Sequence, residues 1–333
     1  MIYYFYNYIY DLWFMGGTEM EKKYVVGVDL GGTKIYTALV NLKGEIIEEI
    51  TVKTEAEKGE KVVLDNLLKT IDKVLENVNK EEVRAIGIGS PGPLDLEKGL
   101  IVYTPNLPFK NFELVKPIKE RYNIPTYLDN DANVATLSEF MFGAGKGSKN
   151  MVFVTVSTGV GGGAILNGNI YRGSTANALE IGHTTVMKGG PRCGCGNTGC
   201  VESVASGTAI MKRAKEALDS KVETSLRNYD DVTAREVFLE AERGDRVSQD
   251  ILNDALSYLG IGIANIANSF DPDKIVIGGG VSEAGKIVFD KIDEEMQRRC
   301  LTNIYDHCKV EKALLGGKAG VLGAAALAIL ESK

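Results

Sequence analysis

Histidine occurs only twice in these 333 residues, cysteine five times and tryptophan once. Lysine and arginine form no run, and the net charge is −7, which argues against a nucleic-acid surface. No GxxxxGK[ST] occurs anywhere, so a Walker phosphate loop is excluded. The few cysteines are bunched rather than spread, which fits a reducing, cytoplasmic compartment better than a secreted disulfide scaffold. Residues 1–23 lack a basic leader region and are too short and too polar at Asn7 and Asp11 for a membrane span. They hold the single tryptophan and five of the fourteen tyrosines, and read as a mis-called start, with Met20 a normal one, or as an incidental, loosely packed tail; a membrane-surface anchor or packing in an assembly are the alternatives. No integral membrane association is expected.

What the chain does have is concentrated between Glu180 and Glu202. One histidine and three cysteines fall there within eighteen residues: His183, Cys193, Cys195 and Cys200. One imidazole and three thiols are the donor set of tetrahedral zinc, and four protein ligands leave no open position. One structural zinc per chain is therefore expected. Gly194, Gly196 and Gly199 are expected to supply the tight turns. Glu180 and Glu202 flank this clip and make it a scaffold for something polar. His307 with Cys300 and Cys308 forms a weaker rival cluster, lacking glycines and a fourth local ligand.

The length suits two domains, and strands ending in glycine loops alternate with helical stretches. YVVGVDLGGTK (24–34) reads as a buried strand, a glycine turn and a returning strand, with Asp29 at the strand end. Residues 60–79 are spaced as a helix. RAIGIGSPGPLD (84–95) runs from a strand into a proline-stiffened loop, and YTPNLPF (103–109) exposes Asn106. A short helix is expected over 112–122. The acids Asp129 and Asp131 follow an apolar strand at the start of helix 132–143. Spacing alone leaves open which of them faces a ligand.

NMVFVTVSTGVGGGAILNGNIYRG (150–173) contains a GxGxxA string, but the residues after it read as a hairpin around Asn167–Gly168. That rejects a dinucleotide fold and repeats the layout of 24–40, as two related half-domains would. One helix is expected over 203–219 and a long one over 248–270. Gly260 and Gly262 on the long helix suit close packing, either inside the protein or between copies. DPDKIVIGGGVSEAG (271–285) is a third strand-to-glycine unit, and a small-residue helix closes the chain. Three glycine loops and one paired-acid break suit phosphoryl transfer to an alcohol, which needs backbone donors, an anchored magnesium and a base. Dehydrogenation and metal-assisted hydrolysis fit less well.

At this point VGVDLGGTK, IGIGSPGP (86–93), DNDAN (129–133), VSTGVGGG (156–163), EIGH with CGCGNTGCVE, and IVIGGGVS (275–282) together resemble the ROK family of sugar kinases and repressors, particularly its glucokinases. The resemblance covers about 24–333. It implies an α/β, actin-like ATPase (ribonuclease H-like) fold with an active-site cleft between two α/β domains. These are residues 24–130 with 310–333, and 131–309 carrying the clip. It implies ATP-dependent phosphorylation of the 6-hydroxyl of glucose, with Asp131 as general base. Fructose, mannose, allose or N-acetylated amino sugars are alternative acceptors, and polyphosphate or ADP alternative donors. By the same likeness Gly92, Asn106, Asn130, Glu180, His183 and Glu202 contact the sugar. Asp29, Gly31, Gly32, Thr33, Lys34, Thr158, Gly159 and Gly279 serve Mg²⁺-ATP. A homodimer or homotetramer is implied. The repressor branch carries a DNA-binding domain ahead of this fold, for which residues 1–23 offer no counterpart.

Overall fold

The computed structural model describes residues 22–104 and 106–332. The aromatic extension expected to be incidental lies, over residues 1–21, outside the described residues. The chain enters its first sheet at Lys23, whose amide donates to Glu82 O at 2.9 Å.

The first half contains β1 (Tyr24–Leu30), β2 (Lys34–Asn41), β3 (Ile46–Lys53), α1 (Glu60–Val74) and β4 (Val83–Ser90). A small antiparallel sheet of β5 (Leu94–Asp95), β6 (Leu100–Tyr103) and β7 (Lys110–Glu113) follows. Then come α2 (Val115–Tyr122), β8 (Thr126–Asn130) and α3 (Asp131–Phe142). The second half contains β9 (Met151–Val156), β10 (Val160–Leu166), β11 (Asn169–Ile170), α4 (Val201–Ala205), α5 (Gly207–Asp219), α6 (Ala234–Glu242) and α7 (Arg246–Phe270). It closes with β12 (Lys274–Gly278), α8 (Lys286–Arg299), α9 (Thr302–His307), β13 (Lys309–Lys312) and α10 (Ala319–Glu331).

Two five-stranded sheets share one plan. The first has the order β3-β2-β1-β4-β8 and the second β11-β10-β9-β12-β13. In each, an antiparallel meander adjoins three parallel strands. The repeated glycine-loop layout of the sequence is thus a repeated topology, the two-sheet α/β architecture of actin-like ATPase folds.

Why β1 is apolar without alternation follows from its neighbours. Helix α1 covers one face with Val63, Leu67 and Ile71, and α10 covers the other. The α10 backbone comes so close that a Cβ on Gly27 or Gly87 would lie 2.2 Å from Val321 O or 1.9 Å from Ala324 O. On its far side a Cβ on Gly323 would lie 1.8 Å from Val134 O of α3. Small residues let this helix sit between a sheet and another helix.

Two expectations are corrected and one open choice is decided. The helix foreseen over 112–122 begins at Val115, because Phe112 pairs with Ile101 in a strand and stacks on Phe109. The helix foreseen over 203–219 is broken at Ser206, an extended residue whose hydroxyl caps Ala209 N. The glycine pair on α7 serves an interior: Gly260 faces Glu295 of α8, and Gly262 faces Val201 of α4.

Candidate active site

Strands β1, β4 and β8 run parallel, so their carboxyl ends share one rim of the first sheet, where α/β sheets bind ligands. Asp29, Gly89 and Asp129 stand in register across that rim. The two neighbouring acids then part. Asp129 lies one residue before the end of β8 and is fully buried, whereas Asp131 begins α3 and is exposed. Asp129 is committed. Its Oδ1 accepts the amide of Asn130 and Nδ2 of Asn133, both at 2.8 Å, and its Oδ2 accepts Arg172 Nε at 2.7 Å. Asp131 accepts the amide of Ala132 at 2.8 Å, which Asn130 Oδ1 also receives as N-cap at 2.9 Å.

Electrostatics mark Asp131 as well. Although the residue reaches solvent, protein atoms crowd its carboxyl, and this desolvation pushes it above the ordinary 3.8. The Ala132 amide opposes that rise and the charge of Glu180 adds to it. Asp29 is also raised by burial, with Lys34 opposing and Asp131 contributing. Asp29, Asp131 and Glu180, far apart in sequence, therefore share one field. Acids raised together at the carboxyl rim of a sheet are candidates for chemistry.

The first glycine loop is held by Thr54, whose hydroxyl donates to Gly31 O at 2.6 Å and whose amide donates to Thr33 O at 3.0 Å. A Cβ on Gly32 would fall 2.7 Å from Cβ of Asn106, so Asn106 lies directly against this loop. Lys34 extends over the Tyr36 ring, 5.8 Å from its centroid, and Tyr36 donates to Glu49. Gly92 lies beside Asn130, with its missing Cβ 3.5 Å from Nδ2. The carboxylate of Asp29 packs against Gly320 in the first turn of α10.

The clip has the geometry of a tetrahedral site. Cys195 Sγ and Cys200 Sγ are 3.8 Å apart, and Cys193 Sγ is 3.6 Å from His183 Nδ1. Zn–S bonds of about 2.3 Å at tetrahedral angles require sulfurs about 3.8 Å apart. All four donor atoms lie within 4.8 Å of one another. Among the described residues no other such grouping occurs. The rival cluster does not assemble: His307 faces Asp273 at 3.4 Å and Cys300 points to Ala264 O. Burial pushes the Cys200 thiol up to about 12, while the amide of Asn197 draws the exposed Cys195 down. Gly196 and Gly199 take left-handed φ of 95° and 67°, and a Cβ on Gly199 would meet Met187 O at 1.7 Å. Gly194 needs neither; a side chain there would meet nothing.

The clip also builds the second glycine loop. Glu202, in the first turn of α4, accepts the amide of Val160 at 3.1 Å and fills the space where Gly159 would carry a Cβ. Its other oxygen is 3.7 Å from Cys193 Sγ. The Glu180–His183 segment lies against the same strand start, since a Cβ on Gly182 would be 2.0 Å from Val160 O. His183 turns Nδ1 to the sulfurs and Nε2 to Glu180 Oε2, 3.8 Å away.

Beyond this loop, the break at Ser206 aims the Gly207 amide at Ser157 O, 2.7 Å away. A cleft of about 1230 Å³ opens there, bordered by Ser157, Thr158 and Gly280 and walled by Met211, Phe238 and Leu256. Next to Gly280, Gly279 takes a left-handed φ of 86°, its missing Cβ 2.4 Å from Val156 O. Asp131 does not line this cleft. The apolar wall comes from helices with no motif, which is why the sequence did not point to it. Arg172 was missed for a similar reason: nothing local distinguishes it from a surface arginine.

The profile of the ROK family matches residues 25–331. The chain is 39% identical over 311 residues to a glucokinase of Halalkalibacterium halodurans, covering 91% of this chain and 94% of that protein. It is 31% identical to a xylose repressor of Caldicellulosiruptor bescii, covering 92% of this chain and 78% of the repressor. Among solved structures, a ROK family glucokinase from Streptomyces griseus in complex with glucose and AMPPNP is similar at a TM-score of 0.74. It shares 33% identity, over 92% of this chain and 99% of that one.

Proposed function

The chain belongs to the ROK family, and from that premise we propose that it transfers the γ-phosphoryl group of ATP to the 6-hydroxyl of glucose, with Asp131 as the base. One observation carries the choice of base. Asp129 is buried and fully engaged with Arg172, Asn130 and Asn133, whereas Asp131 is exposed at the start of α3, within the field of Asp29 and Glu180.

A sugar hydroxyl is a poor nucleophile until its proton has a destination. Asp131 accepts that proton as the oxygen attacks the γ-phosphorus and ADP departs. The raised carboxyl suits a base that must take a proton and later release it. Asn106, Asn130, Glu180, His183 and Glu202 hold the sugar hydroxyls, with the Gly92 loop as a wall. Glu202 keeps acceptor capacity beyond its bond to Val160. His183 serves both sides, with Nδ1 toward the thiols and Nε2 toward the sugar.

Gly31, Gly32, Thr33, Lys34, Thr158 and Gly159 cradle phosphates, and Asp29 anchors the metal side of the nucleotide. Magnesium, when bound, neutralises charge on the phosphates. The apolar cleft beside Gly279 and Gly280 takes the adenosine. His183, Cys193, Cys195 and Cys200 would hold a structural zinc. We place the domain boundaries at 24–130 with 310–333, and 131–309. We further propose a cytoplasmic homodimer or homotetramer, which light scattering tests. Among the described residues no helix is long and apolar enough to cross a membrane.

The decisive experiment compares Asp131→Asn with Asp129→Asn. Asp131→Asn is expected to keep its fold and bind glucose within about tenfold of the parent, while kcat falls roughly 10³-fold. Near-normal turnover in Asp131→Asn would refute the assignment. A sugar-responsive regulator is the second reading, favoured by the xylose repressor likeness. It would bind sugar without forming a sugar phosphate, and the same assay separates the two.

A further inference from the structure

We propose that Arg172 is a positioning residue for the acceptor half of the site, one guanidinium that sets Asp131 and the Glu180 loop relative to each other. The inference rests on the reading of Asp131 given above. Arg172 Nε donates to Asp129 Oδ2 and Nη2 to Glu331 Oε1, each at 2.7 Å. It thus joins the end of β8 to the end of α10, across 43 and 159 residues of sequence. Its backbone follows β11 of the second sheet, and the preceding residue, Tyr171, donates its amide to Ala164 O of β10 at 2.8 Å.

Two outputs leave this node. Asp129 receives the guanidinium on one oxygen and, on the other, the amide of Asn130 and the side chain of Asn133. Those residues bracket Asp131 in sequence, so the ion pair fixes the helix start that presents it. On the other side, Arg172 O accepts Ala178 N at 3.2 Å, closing a loop that leads to Glu180. Glu180 is the acid whose charge reaches Asp131. A planar fork that binds two carboxylates cannot be replaced by a point charge. Apolar residues would serve stability as well as a buried ion pair, so stability alone does not call for this arrangement.

The test uses the full-length enzyme and the variants Arg172→Ala, Arg172→Lys, Glu331→Gln and Asp131→Asn, at a temperature where each is folded. Zinc content, kcat and both KM values are measured with and without low-millimolar guanidinium ion. Arg172→Ala is expected to lose about 10²-fold in kcat, the scale of a one-ångström misplacement. Its KM for glucose should rise, its KM for ATP and its zinc content should hold, and guanidinium should restore part of kcat. Arg172→Lys should fall between, and Glu331→Gln, which keeps the Asp129 pair, should lie nearer the parent.

Parental kcat and glucose KM in Arg172→Ala, with only a lower melting temperature, would make Arg172 a strut and overturn the proposal. If Arg172→Ala does not fold, parental kinetics in Arg172→Lys would overturn it equally. Asp131→Asn reports separately. Its full activity would sink the base assignment whatever Arg172 does, and its inactivity beside an indifferent Arg172→Ala would sink only this inference.

Discussion

Glu202 Oε2 accepts the backbone amide of Val160 at 3.1 Å, across 42 residues, while its other oxygen lies 3.7 Å from Cys193 Sγ. One carboxylate thus touches both the cysteine clip and the start of β10, next to the second glycine loop. The clip is a foundation for that loop, and damage to it should reach the phosphate side as well as the sugar side.

Cys195→Ser tests this coupling. Removing one of the four proposed ligands should abolish stoichiometric zinc, lower the melting temperature, and raise KM for ATP as well as for glucose. Elemental analysis beside steady-state kinetics checks it. A zinc-free variant with parental KM for ATP would show that the clip and the loop are independent.

The raised carboxyls predict a stability effect whose sign can be worked out. A folded-state value above 3.8 means that the fold disfavours ionisation. Stability from this source is complete below 3.8 and lost as pH rises through the folded value, so at neutral pH ionised Asp131 is a cost. Asp131→Asn should therefore melt higher than the parent at neutral pH, with the gain vanishing in acid. Parent kcat should likewise fall on acidification at a pH above the ordinary carboxylate range. Thermal melts and a pH–rate profile read both.

Two glycines of the clip region should behave oppositely. Gly182→Ala would place a Cβ 2.0 Å from Val160 O, backbone that cannot yield. It should cost about 1–3 kcal/mol or more by overpacking and raise KM for glucose. Gly194→Ala meets nothing, so it should change stability by less than about 0.5 kcal/mol. Denaturant titration of the pair decides. Equal losses would mean that the clip is more tightly packed than its geometry indicates.

Asp29→Asn should separate donor from acceptor. The carboxylate sits on the first-loop rim, against Gly320 and within the field of Asp131. Its loss should cut kcat by about 10²-fold or more while calorimetric glucose affinity stays near parental. Unchanged turnover would mean that the first loop does not anchor the nucleotide's metal.

Much of this was legible in the sequence, because it is written in short segments. Strands that end in glycine show as apolar runs followed by turns, and their recurrence at 24–40 and 150–173 announced the doubled sheet topology. The clip was legible because its imidazole and three thiols lie within eighteen residues. Local reasoning went wrong where local preference yields to packing, as at Phe112, drawn into a strand by Ile101 and Phe109. The long-range choices were not legible at all. Asp129 and Asp131 are equivalent acids by spacing. They become different only because a strand ends between them and Arg172, 43 residues on, occupies the first. Glycines on α7 could serve an interface or an interior until Glu295 and Val201 filled the space beside them. The sequence by itself determined the elements and the chemistry available at their ends, since both depend on neighbours within a few residues. Which carboxylate is left free, and which loop the clip supports, were decided only by the tertiary structure, because each depends on which distant group neutralises or covers it.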